Sequence, residues 1–488
     1  MPQDDTTMSP TGSGQAFGSE SLRLRRDDNY IMSKKIRGLI LFTSVVIFVV
    51  LGPVLILKSQ DIKIDWQNKK LVKTGGIFVQ VENPSAEVYL NNKFEESTGF
   101  FSRTSFIKGL LPKKYLVEIK KTDYFSLKKN LSVMAGNVTE MKDITLFKTN
   151  YQFSLLPTEN IVQDYIFSGD QKQILAKTAT STTWQFQIFD TTAQQWQTIF
   201  TSKITKPVLA SPAIEEWQAN NKNVLLSQKT LKAKTFYLVD YENTAKLQVF
   251  NLSILNIFDK ISLDPLEKNS YIYLKKNNLY KQKTNAPLTP ELIANDVAWF
   301  QATNNDLYVL TTVGFIIKSD FQGQRKEIIN SRPISLQGKK EFTIDDSARG
   351  IFLNLEKTLF RIASDEKQFL KLAENTSNLI VSPSGEKLLY LSNQEVWLFE
   401  KIKETKEEKA TFLTKLPTIP NVLLWLNDNY FLFDDNESIN VADIDWRDNI
   451  NILNLKSFKE HKVSYNANNK KLYVLSKDLL YVSEKILP

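Results

Sequence analysis

The sequence predicts a mainly β protein: one N-terminal transmembrane helix, a small antiparallel β-sandwich, then a seven- or eight-bladed β-propeller. Three observations predict it. An unbroken apolar run, Leu39–Leu57, stands near the start. A cluster of short period-two strands follows Gly75. From residue 151 onward one strand–turn–strand pattern returns about every 43 residues.

The apolar run, LILFTSVVIFVVLGPVLIL, holds nineteen residues and no charge. At about 1.5 Å per residue it reaches roughly 28 Å, close to the hydrocarbon thickness of a bilayer. Cleavable signal peptides have apolar regions of about 7–15 residues followed by a small-x-small site. The sequence Val54-Leu55-Ile56-Leu57-Lys58-Ser59-Gln60 offers none. The run is apolar on all sides, unlike a core helix with one buried stripe. The expectation is a retained signal anchor over residues 34–58, with Gly52 and Pro53 near its far end. Lys34, Lys35 and Arg37 crowd the N-terminal flank, while only Lys58 lies close on the other side. That bias predicts a cytoplasmic N-terminus, extracytoplasmic C-terminal domains and a single-pass cell-membrane protein. Residues 1–33, rich in Ser, Thr, Gly, Asp and Gln, read as a disordered cytoplasmic tail.

The bulk composition is that of a folded chain: 488 residues, 42% hydrophobic and 24% charged. The absence of cysteine excludes disulfides, thiolate metal sites and lipidation at Cys. The net charge of +8 is spread along the body, since residues 1–38 carry six basic against five acidic groups. A diffuse excess of this kind is mainly solubilising.

The second segment spans residues 75–147. Ile77, Val79 and Val81 alternate with Phe78, Gln80 and Glu82 until Asn83-Pro84 stops the strand. Further strands are expected at Glu87–Leu90, Tyr115–Ile119, Tyr124–Leu127 and near Thr139–Phe147. Several elements resemble a PEGA domain: Pro84-Ser85-Ala86-Glu87-Val88-Tyr89-Leu90-Asn91, Thr98-Gly99, Leu110-Leu111-Pro112-Lys113-Lys114-Tyr115-Leu116-Val117 and Lys121-Thr122-Asp123-Tyr124. The departures are a shortened Pro–Ala segment, Lys114 where a glycine usually precedes the tyrosine, and Asp123 in place of the last glycine. Asp tolerates left-handed backbone, so Asp123 is a plausible substitute. The resemblance implies a non-catalytic, envelope-associated β module acting as a spacer, and it transfers no binding residue.

In residues 151–488, apolar strands begin at 174, 224, 271, 307, 351, 388, 430 and 472. A period of 40–45 residues with four strands per unit is that of a propeller blade. The clearest unit runs Ser382-Pro383-Ser384-Gly385-Glu386-Lys387, Leu388-Leu389-Tyr390-Leu391 and Val396-Trp397-Leu398-Phe399. It resembles the Ser-Pro-Asp-Gly-Lys hairpin of TolB-type and WD40-like propellers. Near-continuous apolar runs such as Tyr430-Phe431-Leu432-Phe433 suit strands covered on both faces.

No catalytic, cofactor-binding or metal-ligating residue is singled out. His461, the only histidine, sits in Lys459-Glu460-His461-Lys462 and reads as a solvated surface residue. Asp434-Asp435-Asn436-Glu437 reads as an exposed hairpin turn, since it lacks a calcium-loop pattern. Lys275, Lys276 and Lys281 interleave with Tyr271, Tyr273 and Tyr280, which strand alternation explains without nucleic acid. Glu400–Lys409 reads as a long solvated loop. No phosphate-binding loop, dinucleotide fingerprint or nucleophile elbow occurs. The expected function is therefore a non-enzymatic, membrane-anchored cell-surface protein, without cofactors. Its propeller would bind a protein or cell-wall glycan and no nucleic acid. The alternatives are an extracytoplasmic glycan-active enzyme with carboxylates at the channel, and an accessory subunit of an envelope complex.

Overall fold

The computed structural model describes residues 33–66, 69–158, 160–204, 212–218, 222–229, 234–242, 248–252, 258–284, 289–336, 342–347, 350–363, 367–401 and 407–488. The expected tail, save its last residue, and the middle of the 400–409 loop lie outside them. Two compact units divide at Leu71/Val72.

The first unit is built on one helix, Lys34–Ser59. Ser33 caps it, its Oγ accepting from the Ile36 N–H at 3.4 Å. The helix runs on through Pro53 and none of its residues is buried. Its length and apolarity suffice to cross a membrane. A two-stranded ribbon, Ile62–Asp65 with Lys70–Lys73, follows.

The second unit opens with two facing sheets. One has the order Thr104–Leu110, Gly75–Val81, Val138–Ile144; the other Lys93–Ser97, Glu87–Leu90, Lys114–Lys120, Leu127–Ser132. Ile77, Val79 and Val81 of the first meet Val88, Leu90, Val117, Ile119 and Leu131 of the second in one core. The arrangement departs from the expected all-antiparallel sandwich. Gly75–Val81 pairs in parallel with Val138–Ile144, the last strand of the domain. The segment expected as a strand from Tyr124 begins regular pairing only at Leu127. Asn91 and Asn92 turn the chain with φ of 49° and 67°, the left-handed pair that a two-residue hairpin needs. Asp123 is left-handed as well, at φ 66°.

Residues 153–485 form a β-propeller. Eight four-stranded sheets are present among the described residues of this stretch. The first is Ile161–Phe167, Gln173–Ala179, Thr183–Asp190 and Gln195–Lys203. The second is Ala213–Gln218, Asn223–Lys229, Lys234–Asp240 and Gln248–Asn251, and the third Lys260–Leu263, Ser270–Lys275, Asn278–Lys283 and Glu291–Ala294. Val297–Ala302, Leu307–Thr311, Ile316–Ser319 and Lys326–Ile328 make the fourth, and Phe342–Ser347, Gly350–Leu355, Thr358–Ala363 and Gln368–Ala373 the fifth. The sixth is Thr376–Val381, Lys387–Ser392, Glu395–Lys401 and Glu408–Lys415, and the seventh Leu423–Asn427, Tyr430–Asp434, Ser438–Asp443 and Ile452–Ser457. The eighth takes three strands from the far end of the chain, His461–Asn466, Lys471–Ser476 and Leu479–Lys485. Its outermost strand, Phe153–Leu155, comes from before the first sheet.

Each sheet shares an apolar cluster with the next. Leu389, Leu391 and Val396 of the sixth meet Phe431 and Phe433 of the seventh. Leu475 and Leu480 of the eighth meet Val162, Tyr165 and Ile174 of the first, so the series returns on itself. The second strands are deeply covered, as in the seventh sheet, where Tyr430–Asp434 is buried throughout together with the third strand Ser438–Asp443. The fourth strands are largely exposed, for example Lys326–Ile328. First strands of neighbouring sheets approach one another and therefore face the axis.

The small domain is fixed to the seventh sheet. Lys129, 1% exposed at its side chain, donates from Nζ to Asp443 Oδ1 (2.9 Å), Asp445 O (3.0 Å) and Asn449 O (2.8 Å). Asp448 Oδ2 accepts from the Asn130 N–H at 2.7 Å. Arg447 grips Asp445 with both arms of its guanidinium and donates from Nη1 to Glu140 O at 2.7 Å. The Thr145 N–H donates to Tyr430 Oη at 3.1 Å, and the Phe147 and Tyr430 rings meet edge-on at 5.2 Å.

Candidate functional site

The axis-facing strands carry polar side chains that knit the ring together. Lys462 of the eighth sheet donates to Asp164 Oδ1 and Tyr165 O of the first, both at 2.7 Å. Glu216 of the second sheet accepts from Ser262 Oγ (2.8 Å) and the Leu263 N–H (2.9 Å) of the third. Burial pushes the Glu216 carboxyl above the usual range, and its three hydrogen bonds only partly offset that. The Lys260 ammonium lies 4.1 Å from the centre of a Trp299 ring, which joins the third sheet to the fourth. Gln301 of the fourth makes a reciprocal amide pair with the backbone of Ile344 in the fifth, at 2.8 and 2.9 Å. Trp425 Nε1 of the seventh donates to Ile380 O of the sixth at 3.2 Å.

Between the fifth, sixth and seventh sheets this inner layer opens into a cleft of about 410 Å³. Thr343, Asp345, Ser377, Asn378 and Asn421 line it, with Ile344, Leu379, Ile380 and Leu423 as its apolar part. Burial, reinforced by the neighbouring Asp346, raises the Asp345 carboxyl above the ordinary range. Hydroxyl and amide groups of this kind donate and accept hydrogen bonds without fixed charge, which suits polar neutral groups on a ligand. A second cleft, about 240 Å³, lies where the small domain meets the ring, lined by Met141, Lys142, Leu398, Glu400, Trp446 and Arg447 among others.

The residues noted from sequence fall mainly in structural roles. His461 is not a surface residue: its side chain is fully buried. Successive strand residues point to opposite sides, so the charged neighbours of His461 say nothing about its own side. Its Nδ1 lies 2.9 Å from Phe458 O, and a carbonyl only accepts, so Nδ1 carries a proton. Nε2 points at Asp434 Oδ2 across the seam between the seventh and eighth sheets, 4.0 Å away, without a hydrogen bond among the described residues. Asp434 likewise departs from the expected exposed turn. It is fully buried and accepts from the Val422 N–H at 2.9 Å, and only Asn436 and Glu437 of that turn are exposed. Tyr271 and Tyr273 are core residues, and Lys281 is buried between Asp264 (2.6 Å) and Glu267 (3.0 Å), so these side chains form no stacking platform. No cluster of three or more metal-ligating side chains occurs among the described residues.

Lys129 and Glu216 were missed in the sequence. Lys129 had a signal: it stands between Leu127 and Leu131 on the inward side of an alternating strand, a place where an unpaired lysine is rare.

Neither a family profile nor a curated protein sequence matches the chain. Solved structures similar to it are β-propellers by their descriptions or of distant likeness. The Dos1 propeller has a TM-score of 0.45 at 10% identity, covering 69% of this chain and 94% of that one. The β-propeller domain of Myceliophteria thermophila Cps50 (Swd1) has a TM-score of 0.37 at 10% identity, covering 68% and 99%. An oligogalacturonate lyase in complex with manganese has a TM-score of 0.34 at 13% identity, covering 66% and 99%. The sheet order and register described above establish the propeller in this chain.

Proposed function

We propose that this chain is a non-enzymatic binding protein held at the cell membrane by its single N-terminal helix. In this reading the N-terminus is cytoplasmic, the rest extracytoplasmic, and the eight sheets are the blades of an eight-bladed propeller. The small domain, PEGA-like in its sequence, serves as a spacer. The axial cleft takes a protein or glycan partner through its hydroxyl and amide side chains. The observation that carries the reading is the pairing, in one chain, of a 26-residue helix with a long apolar run and no buried residue with a ring of sheets that cover one another. A helix apolar on all sides needs a non-aqueous surround. A ring whose sheet faces are mutually covered offers mainly its axis and rims to a partner.

The test is fractionation followed by capture. The full chain is expected to stay with membranes through an alkaline wash and to leave only in detergent. External protease should then remove the body from intact cells. Crosslinking from the cleft, with photo-reactive groups at Ser377 and Asn378, should trap one partner in fixed ratio. Recovery of the chain in the supernatant without detergent refutes the anchor. Crosslinks that do not depend on the cleft positions refute the site.

A further inference from the structure

The ribbon Ile62–Asp65/Lys70–Lys73 is a sheet of only two strands. Isolated two-stranded ribbons are marginal in water and usually lean on another surface. This one exposes the wrong side chains for water: Trp66 is 80% exposed, Leu71 61% and Ile64 42%. Between them stand exposed Lys63, Lys69 and Lys70, and Lys58 closes the preceding helix. From Lys58 to Lys73 there are five lysines against Asp61 and Asp65.

The ribbon is also tightly tethered. Ile62 lies three residues beyond Ser59, the last residue of the helix. At 3.8 Å per Cα step, it starts no more than about 11 Å from the helix end. Wherever that end meets a membrane surface, the ribbon meets it as well. An indole with an apolar body and a polar N–H suits the boundary between hydrocarbon and water. Lysines beside it suit anionic headgroups.

We propose that the ribbon lies in the headgroup layer of a bilayer containing anionic phospholipid. Trp66, Leu71 and Ile64 face the acyl boundary, and Lys63, Lys69 and Lys70 face lipid phosphates. This rests on the membrane-anchor reading and adds to it a lipid preference and a fixed standing for the first residues outside the helix. It also assigns a role to lysines that otherwise blur the charge asymmetry across the anchor.

The full chain, reconstituted into liposomes of phosphatidylcholine and phosphatidylglycerol with acyl chains brominated near the headgroup, tests it. Of the eight tryptophans, Trp66 is the one adjoining the anchor. Bromolipid should quench roughly one part in eight of the emission, and Trp66→Phe should abolish that component. The triple variant Lys63→Gln, Lys69→Gln, Lys70→Gln, or liposomes of phosphatidylcholine alone, should reduce the quenching at least twofold while flotation with the liposomes persists. A chain that floats but is not quenched overturns the ribbon's placement and leaves the anchor standing. Quenching that ignores both the lysines and the anionic lipid overturns the lipid preference. A chain that fails to float overturns both. Trp66 is exposed, so its replacement leaves the packing of the body untouched.

Discussion

Replacing Lys129 by methionine should loosen the small domain from the ring by about 3 kcal/mol. The lysine is 1% exposed and spends all three of its N–H groups on Asp443 Oδ1, Asp445 O and Asn449 O. Methionine keeps much of the volume and removes the charge. Breaking a buried ion pair from one side costs about 3–5 kcal/mol, because the remaining charge is left buried. Asp443 is better provided than most such partners. It also accepts from the Asn451 N–H (3.0 Å), Asn451 Nδ2 (2.7 Å) and the Asp445 N–H (3.0 Å), which places the expected loss at the low end. Global unfolding of a chain with several units is not two-state, so the local opening is the quantity to measure. Hydrogen exchange of the Leu127–Ser132 amides in the full chain should accelerate on the order of 100-fold, at about 1.4 kcal/mol per decade. Lys128→Met is the control. That side chain is 55% exposed, and its partner Glu118, 3.1 Å away, keeps the Lys120 ammonium at 3.0 Å when Lys128 is replaced, so no buried charge is left unpaired. Exchange within threefold of wild type in Lys129→Met, or equal to the control, would refute this account of how the two domains are joined.

Two further outcomes follow from the ring. Glu216 is an acid whose folded carboxyl titrates above the ordinary range, chiefly through burial. The stability it lends is therefore greatest below the unfolded carboxylate value of about 4.3 and declines as pH rises toward its own raised value. Glu216→Gln should remove that decline, matching or exceeding wild type near pH 7 in the hydrogen-exchange protection of the Ala213–Gln218 strand; greater loss at pH 7 than at pH 4 would contradict it. Tyr151→Phe should cost about 1–3 kcal/mol by stranding two buried backbone groups, since the hydroxyl accepts from the Lys148 N–H and donates to Ile486 O, both at 3.1 Å. Hydrogen exchange of the Leu479–Lys485 strand measures it, and unchanged protection there would refute this role of the hydroxyl.

Much of the repeat was legible in the chain itself. The apolar runs read at 174, 224, 271, 307, 351, 388, 430 and 472 fall on the second strands, which begin at Gln173, Asn223, Ser270, Leu307, Gly350, Lys387, Tyr430 and Lys471. These strands are covered on both sides and so carry the densest apolar signal. What was not legible depends on partners far away in sequence. Phe153–Leu155 is three residues long and gains its meaning only from Leu479–Lys485. The parallel pairing of Gly75–Val81 with Val138–Ile144 leaves no mark on either strand alone. His461 looked solvated because its sequence neighbours are charged, yet its side chain is buried, facing Asp434 across a seam. The axial cleft is drawn from three separate sheets, and the one motif among them, the Ser382–Lys387 hairpin of the sixth, contributes none of its lining residues.

The borrowed strand of the eighth sheet dictates an order of assembly. Phe153–Leu155 has no partner until residues 479–485 have been synthesised. The small domain, with a core of its own, has no seat until Tyr430 and Asp443 are in place. A nascent chain therefore carries a module with its own core and an orphan strand until residues 430–485 have emerged to seat them. Closing so long a loop is slow, because the entropy is lost before the contacts repay it. An interruption near the C-terminus would leave an open arc with a bare edge, the kind of species that chaperones and proteases recognise.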